Sequence, residues 1–362
     1  MHLESAVPRP PTRTHATKVL LSDYMLTQQT GKTRPRGRDD PVMPRMSRYI
    51  IERVLQTFIT LLIILTLIFI MFESLPAKPQ DLLAQNPLIK PADKEYLTHF
   101  FGFDKPVQER YFIYMKNMLT FQFGTSFSQA QSVWSLLEER IPRTLLLFGL
   151  ATIISYLIGI YLGAYIAWKR GGVADGTTVV TSLVFYNMPS FWIGLIFLLV
   201  FSAELHWFPL TGWYDPSVHL WPPLNILWHM TLPLIVLILL ELAGTVLLMR
   251  TAMLDIIGEN YMVTAKAIGL PERTVLFRHG ARNAMLPVVT SFVISIVFAV
   301  SGAVVLENVF TFPGVGALYI RSLTQLDFPV AEATLYIITL LVLIGNFIAD
   351  LLYGYLDPRV RI

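Results

Sequence analysis

Few residues of this 362-residue chain are of types that do chemistry, and their spacing limits what they can do. Glu241 interrupts a long apolar run, "LPLIVLILLELAGTVLLM". A carboxylate at bilayer depth is costly and normally faces a bundle interior or a wet cavity. Glu241 is therefore a candidate pore-lining group. The alternative is a packed, protonated side chain bonded to a neighbouring helix. Asn346 and Asp350 are weaker candidates, because Asp350 lies near the end of its apolar run. His206, His219 and His229 carry imidazoles of the kind that hold transition metals. Their spacing fits no compact ligand motif, and Trp207, Trp213, Trp221 and Trp228 beside them form the pattern of an interfacial aromatic belt. No metal site is assigned. "TGKT" at Thr30–Thr33 matches the tail of a P-loop, but the loop needs a glycine where Leu26 stands and a strand before it. Walker A, HExxH and GxSxG are absent, and nothing clusters acid, base and nucleophile. The chain has no cysteine, which excludes disulfides, Cys-ligated zinc and thiol catalysis. The chain reads as a non-enzyme with no cofactor of its own.

One chemistry-bearing stretch remains, "GENYMVTAKAIGLPERTVLFRHGARNAMLPVVT" from Gly258 to Thr290. Lys266, Arg273, Arg278 and Arg282 stand there against only Glu259 and Glu272. Its local signals predict two short helices. Tyr261, Ala265 and Ile268 share one face at helical spacing. Gly269 can supply the left-handed cap that ends the first helix. Pro271 and Glu272 suit the first turn of the second. The plain alternative is an ordinary basic loop. Such loops are short or unstructured, whereas this one has the punctuation of a rigid knuckle. A helix-turn-helix reader of DNA is the other alternative; tethering between two apolar runs argues against it, and no nucleic-acid partner is assigned.

The elements that position these residues follow from composition. Hydrophobic residues make up 54% of the chain and charged residues 15%, against about 25% charged in a typical soluble domain. Six segments reach the spanning length of about 20 residues: about Val54–Phe72, Thr144–Trp168, Val179–Phe201, Leu232–Met249, Leu286–Leu306 and Ala333–Tyr353. Backbone groups in lipid must be satisfied internally, so these are helices. Pro189 is expected to kink the third rather than end it. Gly159 and Gly163 form a small-xxx-small pair on the second, expected to serve packing within the chain. Arginine and lysine set the orientation. Arg45, Arg48 and Arg53 precede the first span. Lys169 and Arg170 follow the second. The basic stretch lies between the fourth and fifth, and Arg359 and Arg361 follow the sixth. The segment Ser202–Thr231 has neither residue type, and Arg321 alone lies between the last two spans. Both termini and the basic stretch are therefore expected in the cytoplasm, and the loop from about 73 to 143 outside. Residues 1–45 are Pro-rich and polar, without an apolar run, and read as a disordered cytoplasmic extension. Met43 and Met46 each offer a candidate translation start after most of this extension. "FPGVG" at Phe312–Gly316 sets a tight turn, followed by a helical "ALYIRSL" that is either a gate or a buried loop.

The stretch "YMVTAKAIGLPERTVLFRHGARNAMLPVV" resembles the "EAA" loop of permease subunits of binding-protein-dependent ABC importers, in the form used by the dipeptide, oligopeptide and nickel subgroup. Val263, Thr264 and Ala265 fill the triplet positions, and Gly269 and Leu286-Pro287 follow. "MSRYIIERVLQTF", "FGFDKPVQERY", "FQFGTSF", "FPLTGW", "GAVVLENVFTFPGVG", "LDFP" and "DLLYGYLDPRVRI" are similar to the rest of that family's pattern, in order, from Met46 onward.

The resemblance implies an all-α, six-span permease fold of the type I importer class over 46–362, with a cytoplasmic coupling helix in the loop from about 250 to 285. It implies that Thr264, Ala265, Lys266, Gly269, Leu270, Glu272 and Arg278 couple to an ATPase. The implied partners are a second permease subunit, two cytoplasmic ATPases that bind ATP and Mg, an external substrate-binding protein and the lipid bilayer. The implied location is the inner membrane of a prokaryote. The chain would form half of a path for peptides or a related small solute, the substrate choice resting mainly with the binding protein. The alternative function is a self-sufficient six-helix secondary transporter or channel; that class shows inverted repeats and helices broken at midplane, and no inverted repeat is visible.

Overall fold

The computed structural model describes residues 45–75, 81, 83–84, 89–301 and 303–356. The extension expected over residues 1–45 lies almost wholly outside the described residues, and residues 46–362 form a unit of their own. Every regular element among the described residues is helical.

The long apolar runs become helices that exceed them. Helix α1 covers Arg45–Glu73, followed by α2 at Pro91–Phe101 and α3 at Val107–Leu119. Helix α4 runs from Val133 to Trp168, so it begins inside the stretch expected to be loop and carries Pro142 within it. Helix α7 runs from Pro222 to Ile257 with Pro233 inside. Each of these two has 36 residues. At 1.5 Å per residue that is about 54 Å, well beyond the ~30 Å hydrocarbon layer. The extra turns project both rods past the apolar zone.

Helices α4 and α7 form the spine. A Cβ at Gly163 would lie 2.7 Å from the Val246 carbonyl oxygen, and one at Gly159 would lie 2.7 Å from Thr245 Cγ2. The small-xxx-small pair therefore lets these two backbones approach within the chain, as expected. Met249 and Met253 of α7 and Ala164 and Ala167 of α4 are fully buried along that seam.

The third expected span is not one kinked helix. Helix α5 (Val173–Asn187) stops, and α6 (Ser190–Phe197) starts again at an angle of 103°. The cause is local. Met188 takes φ −76°, ψ 136° and Pro189 takes φ −60°, ψ 130°. The proline ring forces the residue before it out of the helical region, and the next residues restart as a new helix continued by a wider, π-helical stretch, Leu198–Glu204. Pro189 breaks the element rather than bending it. A bidentate pair then fastens α5 to α7: Arg250 Nε and Nη2 donate to Asp175 at 2.6 and 2.9 Å.

The last third holds α8 (Asn260–Ala267), α9 (Glu272–Thr274), a π-helical stretch Val275–Ala281, α10 (Arg282–Ser301), α11 (Ala303–Val309), α12 (Val315–Thr324) and α13 (Phe328–Leu356). Among the described residues four helices are long and apolar enough to cross a membrane, in α1, α4, α7 and α13, or five with the bent α5–α6 pair. The fifth expected span falls on α10 and α11, with Gly302 between them outside the described residues. Helix α1 lies at the edge of the bundle and leaves Ile51, Leu55, Ile63 and Leu67 more than half exposed, an apolar face suited to lipid. Arg53 and Tyr49 tie it to Asp350 of α13.

Candidate functional site

The knuckle assembles where α7 ends. Helix α8 follows after Gly258 and Glu259, and it closes with a left-handed turn. Gly269 has φ +78°, and its N–H donates to the Lys266 carbonyl at 3.0 Å, while that of Leu270 reaches Ala265 at 3.4 Å. These bonds satisfy carbonyls that the helix end would orphan. A Cβ at Gly269 would meet nothing within 4 Å, so only the backbone angle demands glycine there. Pro271 caps the next turn, and Glu272 begins it. That turn does not form a separate second helix. It widens through Val275–Ala281 and continues into α10 without a break, because no residue there interrupts the helical backbone. The knuckle is thus one short helix hinged at Gly269 onto a long rod.

The seat of α8 differs from the face expected from spacing. Met262 and Ala265 are buried against Val275, with Trp168, Ile256 and Leu270 packed around them. Tyr261 and Ile268 are exposed, Ile268 at 68%, and Val263 at 59%. The helix has two turns only, and its neighbours Val275 and Trp168 lie on the Met262 side. Ile268 falls in the cap, already turned away. Ala265 is consequently a seat residue, and two bare aliphatic side chains stand on the outer side. Tyr261 is held by its hydroxyl, which accepts from Asn283 Nδ2 at 3.0 Å.

Trp168, the last residue of α4, was not singled out by sequence reasoning. Its indole Nε1 donates to Glu272 Oε1 at 2.6 Å, and Lys266 Nζ lies 4.3 Å above its ring. One tryptophan thus grips both sides of the Gly269 turn, through a charge-assisted hydrogen bond and a cation–π contact. The only sequence signal was its place at the end of an apolar run, just before Lys169 and Arg170. Thr264 bonds back to the Asn260 carbonyl and is exposed. Arg278 is exposed, and among the described residues Arg273, Arg278 and Arg282 form no ion pair.

Glu241 stands apart from the knuckle, midway along α7. Its Oε1 accepts from Thr152 Oγ1 of α4 at 3.2 Å, and its Oε2 is buried without a partner. Ser155, one turn on, donates to the Ile238 carbonyl, and the Tyr156 hydroxyl pairs with Ser291 and Ser295 of α10 at 2.9 and 2.7 Å. A polar seam therefore crosses the spine at this level. A cavity of about 270 Å³ between α4, α5 and α7 is lined by Thr177, Thr178, Thr181 and Ser182. Glu241 is beside it, between the lining residues Leu239 and Leu242, and does not line it.

At the α2–α3 end, two buried carboxylates hold the loops. Glu307 is 1% exposed; it accepts from Thr144 Oγ1 at 2.6 Å and from the Ala317 N–H at 3.0 Å. "FPGVG" wraps this carboxylate so closely that a Cβ at Gly314 would overlap it. That turn is a buried loop. Asp327 accepts from the Phe127 and Ser128 N–H groups and from the Ser126 and Ser128 hydroxyls, at 2.5–3.0 Å. His206 and His229 each bond to a backbone carbonyl, and no group of three potential metal ligands exists among the described residues.

Comparison with known proteins accounts for this arrangement. Residues 155–362 match the family described as "Binding-protein-dependent transport system inner membrane component", and residues 46–148 match its N-terminal counterpart. The oligopeptide transport system permease protein AppB of Bacillus subtilis is 38% identical over 317 residues, covering 87% of this chain and 100% of that protein. The dipeptide transport system permease protein DppB of Escherichia coli is 32% identical, covering 87% and 99%. The peptidoglycan transport system permease protein YejB of Agrobacterium fabrum is 37% identical over 75% and 76%. The chain belongs to the binding-protein-dependent transport system inner membrane component family, the permease subunits of ABC importers.

Proposed function

We propose that this permease carries peptides, and that the Gly258–Thr290 stretch is the element through which cytoplasmic ATPases drive it. Peptide import is supported by the names of its relatives, which are permeases for oligopeptides and dipeptides. The observation that carries the coupling reading is the pair of exposed aliphatics, Val263 on a two-turn helix and Ile268 in its cap, while Met262 and Ala265 of that helix are buried against Val275. An ATPase groove would cover these two side chains, with Thr264 and Arg278 beside them and Leu270 underneath. Lys266 and Glu272 would act through Trp168, which clamps the turn. Because the turn runs on into α10, a displacement of α8 passes to α10 and α7 as rigid-body motion.

In this reading six spans cross the inner membrane of a prokaryote, α10 with α11 and α5 with α6 supplying the two that are not single long helices. Both termini and the knuckle face the cytoplasm, supported by the arginine and lysine distribution. The partners are a second permease, two ATPases that hold ATP and Mg, and an external binding protein that meets the α2–α3 end. Glu241 and the hydroxyl-lined cavity beside it belong to the translocation path. A self-sufficient secondary transporter is disfavoured, since the family works with a binding protein.

Cysteine labelling on this cysteine-free chain tests the orientation. A single Cys at Glu272 reacts with an impermeant maleimide only from the cytoplasmic side, and one at Lys105 only from outside. The reverse pattern would overturn the topology. Val263→Asp tests the docking surface: the permease pair should still assemble and lose its ATPases on purification, and unchanged recovery of ATPase would refute it.

A further inference from the structure

A second cavity lies between the end of α1, α3 and the start of α13. It measures about 50 Å³ and is lined by fourteen residues. At about 10–15 Å³ per water-sized centre, that is room for a few waters or one small ion. Half of the lining is aromatic: Phe69, Phe72, Phe101, Phe103, Tyr114, Phe127 and Phe328. The ring faces carry negative quadrupole charge, which attracts cations.

The charges in the lining do not balance. Glu73 is paired with Arg110. Glu332 is the second carboxylate, and among the described residues no hydrogen bond or ion pair holds it. With both carboxylates ionised, the lining would carry one negative charge in excess of its single guanidinium. An unpaired carboxylate set among aromatic rings is strongly destabilised unless it finds a counter-ion or a proton.

A second observation points the same way. Tyr114 lines the cavity, is 8% exposed, and its hydroxyl is buried without a hydrogen-bond partner. Buried hydroxyls almost always have one. Burial, and then the negative charge of Glu332, push the Tyr114 hydroxyl well above its ordinary range, so it stays a neutral group able to accept from an N–H donor. Asn117 and Gln122 line the same cavity.

We infer that this cavity is a binding site for a small ammonium-type cation, held by Glu332, the Tyr114 hydroxyl and the aromatic wall. The ion neutralises the surplus carboxylate and satisfies the hydroxyl together. An ammonium ion suits the site better than an alkali ion, because it donates hydrogen bonds to the carboxylate and the hydroxyl in fixed directions and rides on ring faces. This site goes beyond the transport reading and is independent of it.

The test uses radiolabelled methylammonium and the purified, assembled transporter in nanodiscs, with equilibrium dialysis as the readout. The wild type should bind one saturable equivalent per copy of this chain. Ammonium chloride should displace it, potassium chloride should do so at least about tenfold less well, and N-methylglucammonium should not compete. Glu332→Gln should weaken binding at least about tenfold, the loss expected for one charge-assisted hydrogen bond. Tyr114→Phe, which keeps the ring and removes only the hydroxyl, should weaken it less; it also serves if Glu332→Gln fails to assemble. Equal displacement by potassium would reduce the site to a general cation site and overturn the ammonium assignment. Absence of saturable binding would mean that Glu332 is simply protonated, and unchanged binding in Tyr114→Phe together with Glu332→Gln would place the ion elsewhere; either result overturns the proposal.

Discussion

The two ends of this permease are held by opposite means. At the α2–α3 end, loops close around buried carboxylates. Asp327 gathers four donors, and Glu307 gathers the "FPGVG" turn and the Thr144 hydroxyl. At the other end, the knuckle rests on a small apolar seat and one surface tryptophan, with Val263 and Ile268 bare. A fully satisfied buried network rigidifies its surroundings and strongly penalises loss of any member. An exposed aliphatic pair on a lightly seated helix costs little to move and gains from being covered. The first end has the construction of a fixed frame; under the proposed function, the second is a lever that a partner grips.

The comparison breaks most readily at Asp327. Asp327→Ala leaves the buried Phe127 N–H, the half-buried Ser128 N–H and two hydroxyls without their acceptor, and should cost about 3–5 kcal/mol. The mature protein should be largely lost from membranes, as judged by its level and its resistance to detergent-induced unfolding. Survival at wild-type level would mean that the end is not framed by this carboxylate. A smaller effect is expected from Gly316→Ala, whose Cβ would lie 2.5 Å from Val304 Cα. Overpacking against backbone should cost about 1–3 kcal/mol, read as a lower unfolding midpoint with assembly retained.

These two effects could not have been foreseen from the sequence. Ser126 and Asp327 are 201 residues apart and Thr144 and Glu307 are 163 apart, so no local pattern joins them. "LENVFTFPGVG" showed an acid, a proline and two glycines close together, but not that the glycines make room for the acid. The knuckle was legible because its signals are local: a glycine at the helix end, a proline after it, and cations between two apolar runs. Its buried face was misjudged, because periodicity over two turns cannot tell which side meets Trp168 and Val275. The break at Pro189 was likewise a choice between kink and stop that the local sequence leaves open, and the dihedral angles of Met188 decide it.

At the knuckle the expected effects are on function more than on stability. Trp168→Phe keeps the packing and removes the bond to Glu272. It should cost about 0.5–1.5 kcal/mol in stability and yet lower substrate-stimulated ATP hydrolysis several-fold, because the turn is no longer clamped to α4. Equal losses in stability and coupling would show Trp168 to be only a packing residue. Lys266→Glu should have the smallest effect, losing a cation–π contact of about 0.5–1 kcal/mol at an exposed site and weakening ATPase retention in a manner that depends on salt.

The most direct test of the lever is Gly269→Val. The site has φ +78° and open space around it, so the substitution adds backbone strain without a clash. The strain should be about 1–3 kcal/mol, relieved by tilting α8 on its seat. The measurement is ATP hydrolysis by the reconstituted transporter with and without peptide-loaded binding protein, beside peptide uptake. The lever predicts normal assembly, hydrolysis that no longer rises with loaded binding protein, and uptake lost. Stimulated hydrolysis and uptake at wild-type levels in Gly269→Val would contradict it.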